Sequence, residues 1–203
     1  MNSYPKASIT GVILAGGRAE RMGGQDKGLL LLSGQPMIGY ALRALRPQVA
    51  AVLINANRNL AVYQALGCQV VSDSKGSFCG PLAGMLAALE FIISPYVLII
   101  PCDSPLLPAD YACRMYAALA QEEAELSVAW DGQRLQPVFA LLKAGLRASL
   151  QHYLDSGERK IDRWFARHRM ARADFSDNPT MFHNINTLEE LARLERVLSR
   201  PSG

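Results

Sequence analysis

The sequence lacks the patterns that mark several specialised classes of protein. Its longest apolar stretches, such as YVLII at 96–100, have the length of a strand and are far too short to cross a membrane. No signal peptide is visible, so a cytoplasmic protein without a membrane partner is expected. The four cysteines form no C-x-x-C pair and lack zinc-site spacing, which favours reduced, mostly buried thiols over disulfides or a bound metal.

Strong charge and clustered histidines are also missing. The net charge is only +3 and no helix or tail carries a long basic stripe, which argues against a nucleic-acid binder. The nearest feature is a group of six Arg and Lys residues between 159 and 172, a pattern that ordinarily forms a solvated helix face. The three histidines are scattered and have no neighbours that indicate nucleophilic catalysis or zinc binding.

What is present predicts one α/β domain over residues 1–203, because half of the residues are hydrophobic and only 19% are charged. Short runs rich in Val and Ile alternate with helical patterns through YVLIIPCD, and this βαβ rhythm predicts a parallel sheet covered by helices on both faces. Later, ELSVAW and QPVFALL flank the turn DGQR like a hairpin, MARADF and MFHNIN resemble strands, and TLEELARLERVLSR resembles a closing helix. The expected sheet is therefore mixed and mainly parallel.

Polar residues stand where the first four predicted strands end. The first strand runs into Gly16 and Gly17, the second ends at Asn55, the third at Asp73 and the fourth at Asp103. Ligands of open α/β sheets bind outside the carboxyl ends of the strands. We therefore expect one crevice that contains a glycine loop, an amide and two carboxylates.

The glycine loop follows the first strand in GVILAGGRAERMGGQDKG, at 11–28. Glycines let backbone N–H groups approach an anion, and Arg18, Arg21 and Lys27 supply positive charge, so a polyphosphate suits this loop. The spacing is neither that of a P-loop nor that of a Rossmann dinucleotide site. The alternative is a surface loop whose glycines only form turns.

Asp103, in PCDSP, follows an almost wholly apolar strand and is predicted to bind Mg²⁺, which needs only one or two carboxylates when phosphates and water complete its shell. The alternative is an aspartate that caps the helix expected near residue 108. Asp73 and Asn55 suit the N–H edge of guanine or ribose hydroxyls, but either could form a turn. Asn184 and Asn186 lie two apart, hence on one face of a strand, or else form a turn before the last helix.

Six segments together resemble the molybdenum cofactor guanylyltransferase family, over nearly the whole chain: LAGGRAERMGGQDKGLL, NAN, SDSKGSFCGPLAGM, PCDSP, GERK and NINTLEELARLE. The first motif is shared by nucleotidyltransferases in general, whereas the pairing of LAGG with GPLAG is typical of the guanylyl enzymes. The resemblance implies a Rossmann-like three-layer, glycosyltransferase-A-like nucleotidyltransferase fold. It also implies a nucleotide-binding part at about 8–125 and an acceptor-side part at about 126–203.

Roles follow from the resemblance and from the chemistry of the side chains. Nucleotide contacts are expected from Leu14, Ala15, Gly16, Gly17, Lys27, Asn55, Asp73, Gly80, Gly84 and Asp103. Lys27, Arg21 and Asp103 are expected to be catalytic, Asp103 also as the magnesium ligand, and Gly24 matches a further functional position. The acceptor is a phosphate joined to a polar pterin, and the cations and amides that suit it are Arg159, Lys160, Asn184 and Asn186.

The implied reaction is the Mg²⁺-dependent transfer of GMP from GTP to the terminal phosphate of molybdopterin. The resemblance also allows transient contacts with proteins of cofactor biosynthesis or molybdoenzyme maturation. Two alternatives stay open at this point. One is a nucleotidyltransferase of other specificity, using CTP or a sugar phosphate, and the other is a non-catalytic nucleotide-binding assembly protein on the same fold.

Overall fold

A computed structural model describes residues 4–16, 26–73 and 80–183, together with residues 190, 194 and 195. Seven strands form one sheet: β1 (Ile9–Leu14), β4 (Ala51–Asn55), β5 (Gln69–Val71), β6 (Tyr96–Pro101), β7 (Leu126–Trp130), β8 (Leu135–Lys143) and β9 (Met170–Asp174). Their order in the sheet is β5-β4-β1-β6-β8-β7-β9. Only β8 runs antiparallel to its neighbours in this sheet, so the predicted mixed, mainly parallel sheet is confirmed.

Two smaller strands, β2 (Leu31–Leu32) and β3 (Gln35–Pro36), pair separately. The helices are α1 (Met37–Leu45), α2 (Leu60–Gln64), α3 (Pro81–Phe91), α4 (Tyr111–Gln121), α5 (Arg147–Asp155) and α6 (Ile161–Phe165). None of the helices in the described ranges is long and apolar enough to cross a membrane.

Helices cover both faces of the sheet because successive side chains of each strand point to opposite sides. In β1, Ile13 belongs to the core that α1 and α4 close, while Val12 belongs to the core that α3, α5 and α6 close. Helix α3 is apolar around nearly its whole circumference and is buried along most of its length, as expected for an element packed on several sides. The predicted three-layer α/β architecture is therefore confirmed.

The end of the chain differs in part from the prediction. The segment MFHNIN was expected to be a strand, but Pro179–Phe182 forms a 3₁₀-helix, so the strand prediction is wrong for residues 181–182. Pro179 supplies the fixed φ that starts such a helix, and the Phe182 ring packs edge-on against Phe139, with 4.9 Å between centroids. Asn184 and Asn186 lie outside the described residues.

The closing helix was predicted from its apolar periodicity. Residues 190, 194 and 195 are helical. Leu194 packs against the small core of Leu32 and Met37, and Ser33 N donates to Glu195 Oε1 at 2.6 Å. This helix therefore contacts the segment that follows the glycine loop.

Candidate nucleotide site

The four polar strand ends do lie side by side. Strands β5, β4, β1 and β6 are consecutive in the sheet and parallel, so their carboxyl ends share one edge. At that edge Ala15 N donates to Asn55 O at 2.8 Å, and Cys102 N donates to Leu14 O at 3.0 Å. The structure thus brings Gly16, Asn55, Asp73 and Asp103 to one edge of the sheet, as predicted. Gly17, Arg18, Arg21 and Gly24 fall outside the described residues.

Lys27 and Asp103 form the cationic and anionic centre of this edge. Lys27 Nζ lies 3.5 Å from Asp103 Oδ2, although the two residues are 76 positions apart in the sequence. Asp103 is only 6% exposed, and burial raises the pKa of its carboxyl above the usual range, while the Lys27 ammonium opposes this shift. Asp103 does not cap α4, because the residue before that helix is Asp110. The capping alternative for Asp103 is therefore wrong.

A buried carboxylate beside one lysine fits a magnesium ion that is bound together with a phosphate ligand. The described residues contain no group of three or more His, Cys, Asp or Glu side chains that could form an all-protein metal site. Mg²⁺ does not need one, because it keeps several waters and takes one or two carboxylates plus substrate phosphate oxygens. The donor set at Asp103 therefore suits Mg²⁺ when a nucleotide is bound.

Asp73 is held by two asparagine side chains. Asn55 Nδ2 donates to Asp73 Oδ1 at 2.9 Å, and Asn57 Nδ2 donates to Asp73 Oδ2 at 2.8 Å. The Asp73 backbone N–H returns a bond to Asn57 Oδ1 at 2.9 Å. Asn55 itself is 2% exposed, so in this arrangement it fixes the carboxylate. Each oxygen of Asp73 keeps a further lone pair that a ligand N–H or O–H can use.

Asn57 was missed by the sequence reasoning. A sequence pattern could have indicated it, since Asn55 and Asn57 are two apart at a strand end. The contact of Asn57 with Asp73, however, depends on the pairing of β5 with β4, which the sequence alone does not show.

Three of the predicted glycines have separate physical reasons. A Cβ on Gly84 would lie 2.3 Å from Asn55 Oδ1, so α3 can approach β4 only with glycine at this position. A Cβ on Gly16 would lie 3.0 Å from Asn57 Nδ2. Gly80 precedes α3 with φ +81°, a backbone conformation that favours glycine. Gly16 and Gly84 therefore make room for the two asparagines that hold Asp73.

A second buried carboxylate, Asp26, directly precedes Lys27 and was not predicted. Its Oδ1 accepts from Tyr63 OH at 2.5 Å and from Gly28 N at 3.3 Å, and its Oδ2 accepts from Asn59 Nδ2 at 3.1 Å. Arg58 Nε lies 3.5 Å from the same Oδ2. Nothing in the sequence indicates these partners, because Asn59 and Tyr63 lie 33 and 37 residues away.

The two described acceptor candidates, Arg159 and Lys160, lie in the connection between α5 and α6. Arg159 Nη1 donates to Leu154 O at 2.8 Å, and Lys160 O accepts from Tyr153 OH at 2.8 Å. These hydrogen bonds tie the connection to the end of α5, and neither of them joins it to Asp73 or Asp103. Because β8 is antiparallel to β6, it ends beside Tyr96, at the sheet edge opposite Asp103, and α5, which follows it, packs against α3.

The fold and this edge together define an α/β protein that binds a nucleoside triphosphate for nucleotidyl transfer. Two carboxylates, the buried Asp103 and the asparagine-held Asp73, lie at the ends of parallel strands, where such folds bind nucleotides, and Lys27 lies beside Asp103. Residues 11–173 match the family model of the MobA-like NTP transferase domain. The chain belongs to this family.

Similar proteins cover almost the whole chain. A molybdenum cofactor guanylyltransferase of Shewanella sediminis is 52% identical over 192 residues, which are 95% of this chain and 98% of the relative. One of Shewanella halifaxensis is 51% identical over 193 residues, 95% of this chain and 96% of the relative.

Solved structures share the fold at lower identity. Molybdopterin-guanine dinucleotide biosynthesis protein A of Archaeoglobus fulgidus superposes with a TM-score of 0.78 at 20% identity and covers 94% of this chain and 98% of its own. A nucleotidyl transferase of Methanothermobacter thermautotroptrophicus superposes with a TM-score of 0.74 at 20% identity, over 93% of this chain and 96% of its own. The predicted nucleotidyltransferase fold is confirmed.

Proposed function

We propose that this protein transfers GMP from GTP to the terminal phosphate of molybdopterin, which forms the guanine dinucleotide cofactor and releases pyrophosphate. The named relatives align over 95% of the chain at 51–52% identity. The observation in the structure that carries the proposal is the contact between Lys27 and the buried Asp103 at the strand ends. A lysine and a magnesium-binding carboxylate at this place are what a transfer from a triphosphate requires.

The reaction is an in-line displacement at the α-phosphorus of GTP. An oxygen of the molybdopterin phosphate forms the new P–O bond, and the bond to the leaving pyrophosphate breaks with its electron pair. The nucleophile is already an anionic oxygen, so no general base and no covalent enzyme intermediate are needed. Positioning and charge neutralisation then account for catalysis, and Lys27 and Arg21 supply positive charge. Mg²⁺ held by Asp103 would further neutralise the phosphate oxygens.

Guanine recognition is assigned to the clamped carboxylate of Asp73. Asn55 and Asn57 fix both of its oxygens, so it presents acceptors in one orientation. Guanine offers adjacent N–H donors on one edge, whereas the corresponding edge of cytosine offers a different pattern. Ribose hydroxyls are the other donors that Asp73 could accept. In either case the two asparagines would act by orienting Asp73.

The acceptor side is assigned to Arg159, Lys160, Asn184 and Asn186, whose cations and amides suit a phosphate and a polar pterin. Transient contacts with proteins of cofactor biosynthesis or molybdoenzyme maturation, and a cytoplasmic location, are further parts of the proposal. They follow from the substrate and from the sequence features above.

The test is turnover of each of GTP, CTP, ATP and UTP with molybdopterin as acceptor, and in parallel the thermal shift that each nucleotide gives with Mg²⁺. We expect dinucleotide formation and pyrophosphate release with GTP, and a shift far larger for GTP than for ATP or CTP. Preference for CTP, or for a sugar phosphate as acceptor, would favour the nucleotidyltransferase of other specificity. Binding of GTP without any transfer would favour a non-catalytic nucleotide-binding protein.

A further inference from the structure

Asp26 is a buried carboxylate to which the proposed reaction assigns no role. It is 8% exposed, and its closest partner is the hydroxyl of Tyr63, a residue with no exposed surface, at 2.5 Å. Burial raises the pKa of Tyr63 far above its usual range, so the phenol stays protonated and donates to the carboxylate. Burying a carboxylate costs free energy of folding, and the hydrogen bonds that Asp26 accepts offset that cost.

These bonds fix the turn that carries Lys27. Asp26 is the residue before the short 3₁₀-helix Lys27–Leu29, where its side chain accepts from Gly28 N at 3.3 Å and its carbonyl accepts from Leu29 N at 3.0 Å. Gly28 packs against the same tyrosine, since a Cβ there would lie 2.7 Å from Tyr63 OH. The Lys27 backbone is therefore held on both sides by contacts with Tyr63.

The other oxygen of Asp26 reaches the segment between β4 and α2. Asn59 Nδ2 donates to Asp26 Oδ2 at 3.1 Å, and the Arg58 guanidinium lies 3.5 Å from it. Asn57, one residue before Arg58, holds Asp73. Asp26 thus joins the turn of Lys27 to the segment that orients Asp73.

We propose that Asp26 and Tyr63 are positioning residues for nucleotidyl transfer, which act by holding the Lys27 ammonium beside Asp103 and over the phosphates. The inference rests on the proposed function, because Lys27 is taken to neutralise charge in the transfer step. Tyr63 and Asp26 touch no reacting atom, so their effect on the reaction passes through Lys27.

The probe is Tyr63→Phe, which removes the hydroxyl and keeps the buried ring. A displaced lysine should lower kcat about 10-fold, whereas KM for GTP should change less than about 2-fold, because the charge of Lys27 remains in the site and the base contacts are untouched. Asp26→Asn should also lower kcat. The matched control is Tyr111→Phe, since Tyr111 is also fully buried, its hydroxyl donates to Ile99 O at 3.1 Å and its ring contacts Phe139 and Phe175. We expect wild-type kcat for the control.

A double-mutant cycle decides whether Tyr63 acts through Lys27. Tyr63→Phe is combined with Lys27→Ala and assayed in single turnover at high enzyme concentration. The 10-fold effect of Tyr63→Phe should vanish in the Lys27→Ala background. Effects that multiply independently would overturn the inference, because a general loss of structure would act in both backgrounds.

Amide hydrogen exchange of residues 26–30 supplies a readout that does not depend on activity. Tyr63→Phe should speed exchange in this peptide several-fold, because the Gly28 and Leu29 amides donate to Asp26, and Tyr111→Phe should leave it unchanged. Unchanged exchange in Tyr63→Phe would overturn the anchoring, whatever the activity. A wild-type protein that fails to form the dinucleotide would instead refute the proposed function, and the exchange experiment would still decide on the anchor.

Discussion

Replacing Gly84 by alanine tests the closest approach between α3 and the strand ends. The added methyl carbon would lie 2.3 Å from Asn55 Oδ1, 2.9 Å from Asn55 Cγ and 3.0 Å from Leu14 Cδ2. Real carbon atoms do not come this close, so either the helix or the Asn55 side chain must shift. Asn55 is buried, and its amide holds Asp73 at 2.9 Å, so the shift strains the candidate base-binding carboxylate.

The expected loss of stability combines three contributions. Overpacking a buried site costs about 1–3 kcal/mol, and breaking the amide bond to the Asp73 carboxylate costs about 1.5–3 kcal/mol. Alanine in a helix recovers about 1 kcal/mol relative to glycine. The net loss is then about 1.5–5 kcal/mol, which for a chain of this size lowers Tm by about 3–20 °C.

The assay is thermal unfolding of the nucleotide-free protein, with GTP affinity measured by calorimetry on the folded variant. Gly39→Ala is the matched control, because Gly39 is also within a helix but nothing lies within 4 Å of its added Cβ. We expect Gly39→Ala to raise Tm slightly and to leave GTP affinity unchanged, while Gly84→Ala lowers both. A Gly84→Ala variant as stable as Gly39→Ala, with wild-type GTP affinity, would refute this account of Gly84 and Asn55.

Two other predictions concern the chemistry. Asp103→Asn should lower the rate of GMP transfer about 100-fold or more. Burial raises the folded-state pKa of Asp103 above its usual 3.8, so the ionisation of Asp103 lowers the stability of the folded wild type as the pH rises above that value. In the absence of nucleotide, the Tm of Asp103→Asn should therefore exceed that of wild type at pH 7 and equal it at pH 3. Near-normal turnover, or a pH-independent difference in Tm, would contradict this. Lys160→Ala and Asn184→Ala should weaken molybdopterin binding and leave the GTP dissociation constant unchanged, with Lys143→Ala, at the opposite sheet edge, as control. Loss of stability alone, with wild-type acceptor affinity, would remove the late segment from the site.

The sequence indicated the sheet and the strand ends because both are local signals. An apolar run that stops at Asn55, Asp73 or Asp103 marks the end of a strand whatever it pairs with, and right-handed crossovers leave few ways to order the first four strands. The hairpin of β7 and β8 could also be predicted, because the DGQR turn lies between two apolar runs. The segment at 181–182 could not, because Met181 and Phe182 have the apolar character of a strand but follow Pro179 into a 3₁₀-helix.

The sequence by itself determined which residues carry the charge and where the glycines stand, since Lys27, Asp103 and the glycines are visible in their motifs. Only the tertiary structure decided what holds them. Asp26 and Tyr63 are 37 residues apart, and their bond exists because residues 26–29 pack against Tyr63 of α2. No local pattern encodes such a contact, because a buried hydrogen bond between distant residues depends on how the whole sheet and its helices pack.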